Sequence, residues 1–205
     1  MSAPMRCFVA VVPPQEVVEE IDAFWEPRRE AASWRWTSPE QFHLTLAFLP
    51  RVEEYQLDEL IERLAAAAAR RGPLRLRISG GGAFPSVDRA KVLWAGVASA
   101  SLDGSSGGGE AAGDGAAELT RLATGARHAA AATGIEVGGA RFRPHLTLAR
   151  IAHPEEVTRW LRVAETFTSA AFDVDEIALV ASHLGEGPRR RPRYERLADL
   201  PVGGG

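Results

Sequence analysis

One five-residue string occurs twice in the chain. Residues 43–47 read His-Leu-Thr-Leu-Ala, and residues 145–149 read the same, 102 residues later in a chain of 205. Both copies lie in strand-like runs, Phe42 to Leu49 and His145 to Ile151. Each is followed by a helical pattern and then by a pair of strand-like segments. A repeat at half-chain spacing, in the same local context, predicts duplicated halves. Side chains alternate along a strand, so His43 and Thr45 share one face while Leu44 and Leu46 share the other. The His and Thr Cα atoms then stand roughly 6.6 Å apart. The leucines suit a core, and the His-Thr pair suits a groove. A twofold relation between the halves would turn His43 and Thr45 toward His145 and Thr147 across one cleft.

The surrounding pattern mixes helices and strands. Cys7 to Val12 reads as a buried strand closed by Pro13-Pro14. Gln15 to Trp25 has apolar residues at helical spacing, and Glu53 to Arg71 is a second helix stopped by Gly72-Pro73. Trp34-Arg35-Trp36 reads as an edge strand, and Pro50 as the end of the first motif strand. Leu74, Leu76 and Ile78 alternate with polar residues as a strand, Gly80 to Asp88 as a loop, and Lys91 to Val97 as the returning strand. Ser99 to Gly115 is rich in Gly, Ser, Ala and Asp and reads as a flexible insertion. Ala116 to Ala132 is helical, with Leu119, Leu122, Ala123 and Ala126 on one face. Ile135 to Val137 reads as a short strand, and His153-Pro154 to Val163 as a helix. Phe172 to Leu184 and Arg191 to Leu197 form a closing hairpin. The fold class expected is α+β, with two pseudo-symmetric lobes, each an antiparallel sheet with helices, and a cleft between them. The whole chain, 1–205, reads as one such bilobal domain.

Composition removes other classes. Hydrophobic residues at 45% and charged residues at 25% fit a soluble globular chain. A net charge of −3 argues against coating nucleic acid by bulk charge. Lys91 is the only lysine among 24 basic residues, and the arginine excess reads mainly as a coding bias. Cys7 stands alone, so no intrachain disulfide and no cysteine-rich zinc site can form. No apolar run reaches the ~18 residues of a membrane helix. The N-terminus reads as a strand rather than a signal peptide, so a reducing cytoplasm is expected.

Two opposed histidines suit in-line displacement at phosphorus. One imidazole takes a proton from the attacking oxygen, and the other gives one to the leaving oxygen. Imidazole titrates near ~6.5, so one neutral and one protonated ring can coexist near neutrality. Threonine hydroxyls can donate to the nonbridging oxygens. Zinc fits less well, since each motif supplies one strong ligand.

These segments resemble the 2H phosphoesterase superfamily, and within it the bacterial RNA 2′,3′-cyclic phosphodiesterases, also called 2′-5′ RNA ligases. Phe42 to Leu49 and Arg143 to Arg150 resemble its two HxTx motifs. Arg6 to Ala10 resembles its opening strand. Gly82 to Pro85 with Val92 to Val97 resembles its middle hairpin, and Leu179 to Ser182 with Arg193-Tyr194 its last. The resemblance implies hydrolysis of a 2′,3′-cyclic phosphate at an RNA end, or in a cyclic nucleotide, to a 2′-phosphate. It implies His43 as proton donor and His145 as proton acceptor. Thr45, Thr147 and Arg150 would bind substrate, with no metal and no cofactor.

A noncatalytic RNA- or nucleotide-binding module is the alternative from another class, and reverse 2′-5′ ligation is a minor activity of the same site. His128 reads as a surface residue, His153 as part of a helix start, and His183 as an unassigned neighbour of the substrate. Arg189 to Arg193 reads equally as a solvated face or a guide for an RNA tail. Phe8, Phe84, Trp94 and Tyr194 can stack a base, with core packing the expectation for Phe8 and Trp94. A self-contained cleft makes a monomer the simplest state.

Overall fold

The computed structural model of the chain describes residues 3–101, 112–138, 142–187 and 191–203. In chain order the elements are β1 (Met5–Val11), α1 (Gln15–Trp25), β2 (Arg35–Trp36), β3 (Leu44–Val52), α2 (Leu57–Ala69), β4 (Arg75–Phe84), β5 (Ala90–Ser99), α3 (Ala112–Ala132), β6 (Leu146–Glu155), α4 (Thr158–Ala164), β7 (Phe172–Asp173), β8 (Glu176–His183) and β9 (Arg193–Pro201). The fold is α+β, as the pattern predicts.

The strands pair antiparallel in the order β7-β4-β5-β6-β3-β1-β8-β9, with β2 on β6. That order is symmetric about its centre. Outward from the β6–β3 junction, β5 matches β1, β4 matches β8 and β7 matches β9. The two half-sheets meet at a single register pair, Leu44 opposite Leu146. These are equivalent residues of the two repeats. An antiparallel pair of equivalent residues has a local twofold axis through it, so the axis of the molecule runs between these leucines.

The halves interleave. The hairpin β4–β5 follows the first motif in sequence, yet β5 pairs with β6 of the second motif. The hairpin β8–β9 follows the second motif, yet β8 pairs with β1 beside the first. Each half-sheet is thus completed by the opposite half of the chain.

Helices cover one face of this sheet. Ile21 and Trp25 of α1, Leu60 and Leu64 of α2, and Leu119 and Leu122 of α3 share one core with Leu44, Leu46, Leu146 and Leu148. Each fully buried leucine contributes roughly 1.5–3 kcal/mol, so this face fixes which way both motif strands turn. Cys7 is fully buried in the same core. Burial pushes its thiol up to about 11, which leaves it an inert apolar side chain. Among the described residues no helix is long and apolar enough to cross a membrane.

Several boundaries differ from expectation. Pro50 does not end β3. Met5 faces Val52 and Cys7 faces Leu49, so Pro50 and Arg51 oppose Arg6 alone at a bulge, where a missing N–H is tolerated. Gly80 to Phe84 is strand, not loop. A Cβ on Gly81 would lie 2.8 Å from the Trp94 carbonyl oxygen, so glycine there permits a close approach. β6 runs on to Glu155 because Glu155 pairs with Ala90, so Pro154 starts no helix and α4 begins at Thr158. Residues 135–137 form no strand, and only Gly138 bridges, to Phe48. Of the expected insertion at 99–115, residues 102–111 lie outside the described residues. Ser99 belongs to β5, and α3 begins at Ala112.

Candidate active site

The register through Leu44 and Leu146 decides what shares the open face. With those two opposed, His43 lies across from Thr147, and Thr45 across from His145. All four line one cleft of about 390 Å³. Each leucine next to them is buried on the helical side.

Both motif strands carry the same irregularity. On β3, Ala47 pairs with Val9 and Thr45 with Ala10, so Leu46 is an extra residue. On β6, Ala149 pairs with Leu93 and Thr147 with Trp94, so Leu148 is the extra residue. A bulge shifts the alternation by one. Strict alternation would put Arg150 on the face opposite Thr147. The bulge returns it to the cleft, and Phe48 occupies the equivalent place in the first half.

Each imidazole is tied at the same atom. The Nδ1 of His43 lies 2.7 Å from the carbonyl oxygen of Gln41, and that of His145 lies 2.7 Å from the carbonyl oxygen of Arg143. A carbonyl only accepts, so Nδ1 carries the proton and Nε2 remains for the cleft. Aromatic rings hold both. Phe8 stacks on His43 at 4.6 Å and Tyr194 meets it edge-on at 5.6 Å. Phe84 meets His145 edge-on at 5.0 Å, with Trp94 at 6.0 Å. Phe8 is also buried in an apolar cluster with Ala10, Ala178 and Val180, as expected of core packing, whereas Trp94 is half-buried beside His145.

Burial lowers both imidazoles. His43 falls to about 4: burial is the main cause, the Gln41 carbonyl opposes it, and the positive charges of His145 and Arg150 add to it. His145 is lowered by burial and by Arg150, against its bond to the Arg143 carbonyl. Among the described residues, nothing hydrogen-bonds the hydroxyls of Thr45 and Thr147, and Arg150 has no ion pair. Nor do three His, Cys, Asp or Glu side chains there converge as a metal would need.

Other residues were not legible in the motifs. Arg6, Arg35, Trp36 and Gln41 also line the cleft. Arg35 stands opposite Arg150 across β2 and β6. Gln41 donates its side-chain amide to the Pro192 carbonyl at 2.7 Å, tying the β8–β9 hairpin to the first motif. No sequence signal marks Gln41, whose work is done by a backbone carbonyl and one amide.

The predicted Arg189–Arg193 cluster divides. Residues 189 and 190 lie outside the described residues, Arg191 lines the cleft, and Arg193 pairs with Glu186 and Glu195. His183 bonds Glu195 at 2.9 Å and does not line the cleft, whereas its neighbours Ser182 and Leu184 do.

The family model described as LigT like Phosphoesterase matches residues 11–94 and 111–189. The chain belongs to this family. A LigT-like phosphoesterase is an enzyme, which sets aside the noncatalytic module. Two relatives, each called RNA 2′,3′-cyclic phosphodiesterase, come from Aquifex aeolicus and Aeropyrum pernix. The first is 33% identical over 73% of this chain and 73% of its own. The second is 32% identical over 76% of this chain and 81% of its own. Among solved structures, TT0787 of Thermus thermophilus superposes with TM-score 0.72 at 27% identity, covering 98% of this chain and 99% of its own. E. coli LigT complexed with 3′-AMP superposes with TM-score 0.70 at 26% identity, covering 97% and 98%.

Proposed function

We propose that this LigT-like phosphoesterase hydrolyses the 2′,3′-cyclic phosphodiester at an RNA end to a 2′-phosphomonoester, using two histidines and no cofactor. The observation that carries the reading is the pair of His-Thr sets facing one cleft across a twofold axis. The names of the relatives support the substrate.

The cyclic phosphate lies between the imidazoles. The Nε2 of His145 takes a proton from water as its oxygen bonds to phosphorus. The bond from phosphorus to the 3′ oxygen breaks on the opposite side. The Nε2–H of His43 gives its proton to that oxygen, and the phosphate stays on the 2′ oxygen. Each proton transfer contributes about 10²–10⁴-fold. Thr45 and Thr147 donate to the nonbridging oxygens, and the Arg150 guanidinium opposes the charge gathering there.

His43 is neutral in the empty cleft, whereas a donor must be protonated. The anionic substrate supplies the difference. A negative charge beside His43 opposes Arg150 and the cost of burial, and raises its pKa in the complex. With a 5′-hydroxyl in place of water, the same groups would form a 2′-5′ linkage. Water is far more concentrated, so hydrolysis dominates.

The test is turnover of an oligoribonucleotide ending in a 2′,3′-cyclic phosphate, with EDTA present. The expected product carries its phosphate on the 2′ oxygen. A 3′ product would exchange the roles of the two histidines, and no turnover would remove the reading.

A further inference from the structure

The cleft is more basic than one phosphate requires. Arg6, Arg35, Arg150 and Arg191 all line it, and among the described residues no Asp or Glu does, although acids outnumber bases 27 to 24 in the chain. Several arginines outside it pair with carboxylates: Arg29 with Asp22, Arg51 with Glu53, Arg63 with Glu59 and Arg196 with Glu176. Among the described residues, Arg6, Arg35 and Arg150 have no such partner. Uncompensated like charges repel, and a bound anion relieves them.

These cations have different neighbours. The charge of Arg150 acts on both imidazoles. Arg6 and Arg35 are not among the charges acting there, yet both act on the Tyr194 phenol, together with Arg150. Arg6 rests its guanidinium 4.4 Å from the centre of the Phe48 ring, the residue equivalent to Arg150. Arg35 projects from β2 beside Arg150. Tyr194 is held edge-on by Phe8 and His43, and its hydroxyl bonds to no described residue.

We infer that Arg6, Arg35 and the Tyr194 hydroxyl form a second phosphate subsite, which takes a phosphate on the 5′ oxygen of the terminal nucleoside. The inference rests on the reaction proposed above and extends it. His43 protonates the 3′ oxygen, so the ribose lies on the His43 side of the phosphorus. Tyr194 borders His43 on that side, and the 5′ carbon, borne by C4′ next to C3′, extends from the 3′ side of the ribose. A phosphate there is either the 5′-monoester of a free nucleotide or the internucleotide diester of an RNA chain. Guanidinium groups recognise both.

Calorimetric titration of the full chain separates the possibilities. The probes are adenosine 2′-phosphate, adenosine 2′,5′-bisphosphate and the dinucleotide ApA bearing a 2′-phosphate. The two probes with a 5′ phosphate should bind about tenfold or more tightly than adenosine 2′-phosphate, as expected for charge-assisted bonds in a partly open site. The double variant Arg6→Met, Arg35→Met should bring that ratio close to one, whereas Arg51→Met, outside the cleft, should preserve it. A gain for the bisphosphate alone assigns the subsite to free nucleotides, and a gain for the dinucleotide alone assigns it to RNA. Equal affinities in the wild type, or a ratio that survives the double variant, overturn the inference. A chain that ignores adenosine 2′-phosphate, yet binds the bisphosphate through these arginines, contradicts the proposed reaction and keeps the subsite.

Discussion

His43 gives up its proton more readily than an imidazole in water, because burial and the charges of His145 and Arg150 all disfavour the cation. Two outcomes follow from this one group. A bound anion should restore the proton, so titration with adenosine 2′-phosphate near neutral pH should show more proton uptake in wild type than in His43→Ala. Calorimetry in buffers of different ionisation enthalpy measures the difference, and equal uptake would contradict it. The second outcome concerns the empty protein. The unfolded chain protonates this residue near 6.5, and the folded chain only near 4. Between those values the unfolded state binds more protons, so wild type loses stability as pH falls through that window. His43→Ala lacks this penalty. Its thermal midpoint should fall less than that of wild type between neutrality and pH 4, and parallel curves would argue against a buried neutral ring.

At the scale of elements, the two bulges matter most. The alternation of His-Leu-Thr-Leu was legible in the sequence, since Leu44 and Leu146 could only be core residues. The extra residues Leu46 and Leu148 were not, because a bulge is defined against a partner strand. They explain why Arg150, three residues after Thr147, faces the cleft at all. The glycine run at 80–82 reads as a loop for a similar reason: what demands glycine at 81 and 82 is Trp94 on the neighbouring strand. A Cβ on Gly82 would fall 2.1 Å from the Trp94 ring. Gly82→Ala must therefore move the indole, which stands beside His145. The expected cost is about 1–3 kcal/mol of stability by chemical denaturation. A lower kcat should accompany it. An unchanged kcat in a destabilised variant would show that Trp94 does not hold the imidazole.

At the scale of the molecule, the repeat predicted two related halves, and the symmetric strand order agrees. Sequence order did not show that the halves exchange their hairpins. Strand partners are set by long-range burial, which no local pattern encodes. The exchange has a functional consequence. β1 and β8 support the first motif, β4 and β5 the second, and each motif thus depends on residues from both halves of the chain. The pair Leu44–Leu146 fixes the two His-Thr sets relative to each other. In the proposed reaction the two histidines therefore act as one unit on one phosphorus.

Single-turnover rates for wild type, His43→Ala, His145→Ala and the double variant test that claim most directly, on an RNA ending in a 2′,3′-cyclic phosphate. Each single variant should lose about 10²–10⁴-fold while still binding the RNA. The double variant should lose far less than the product of the two, because groups acting as a unit are not additive. Near wild-type rates in either single variant, or losses that simply multiply, would contradict it.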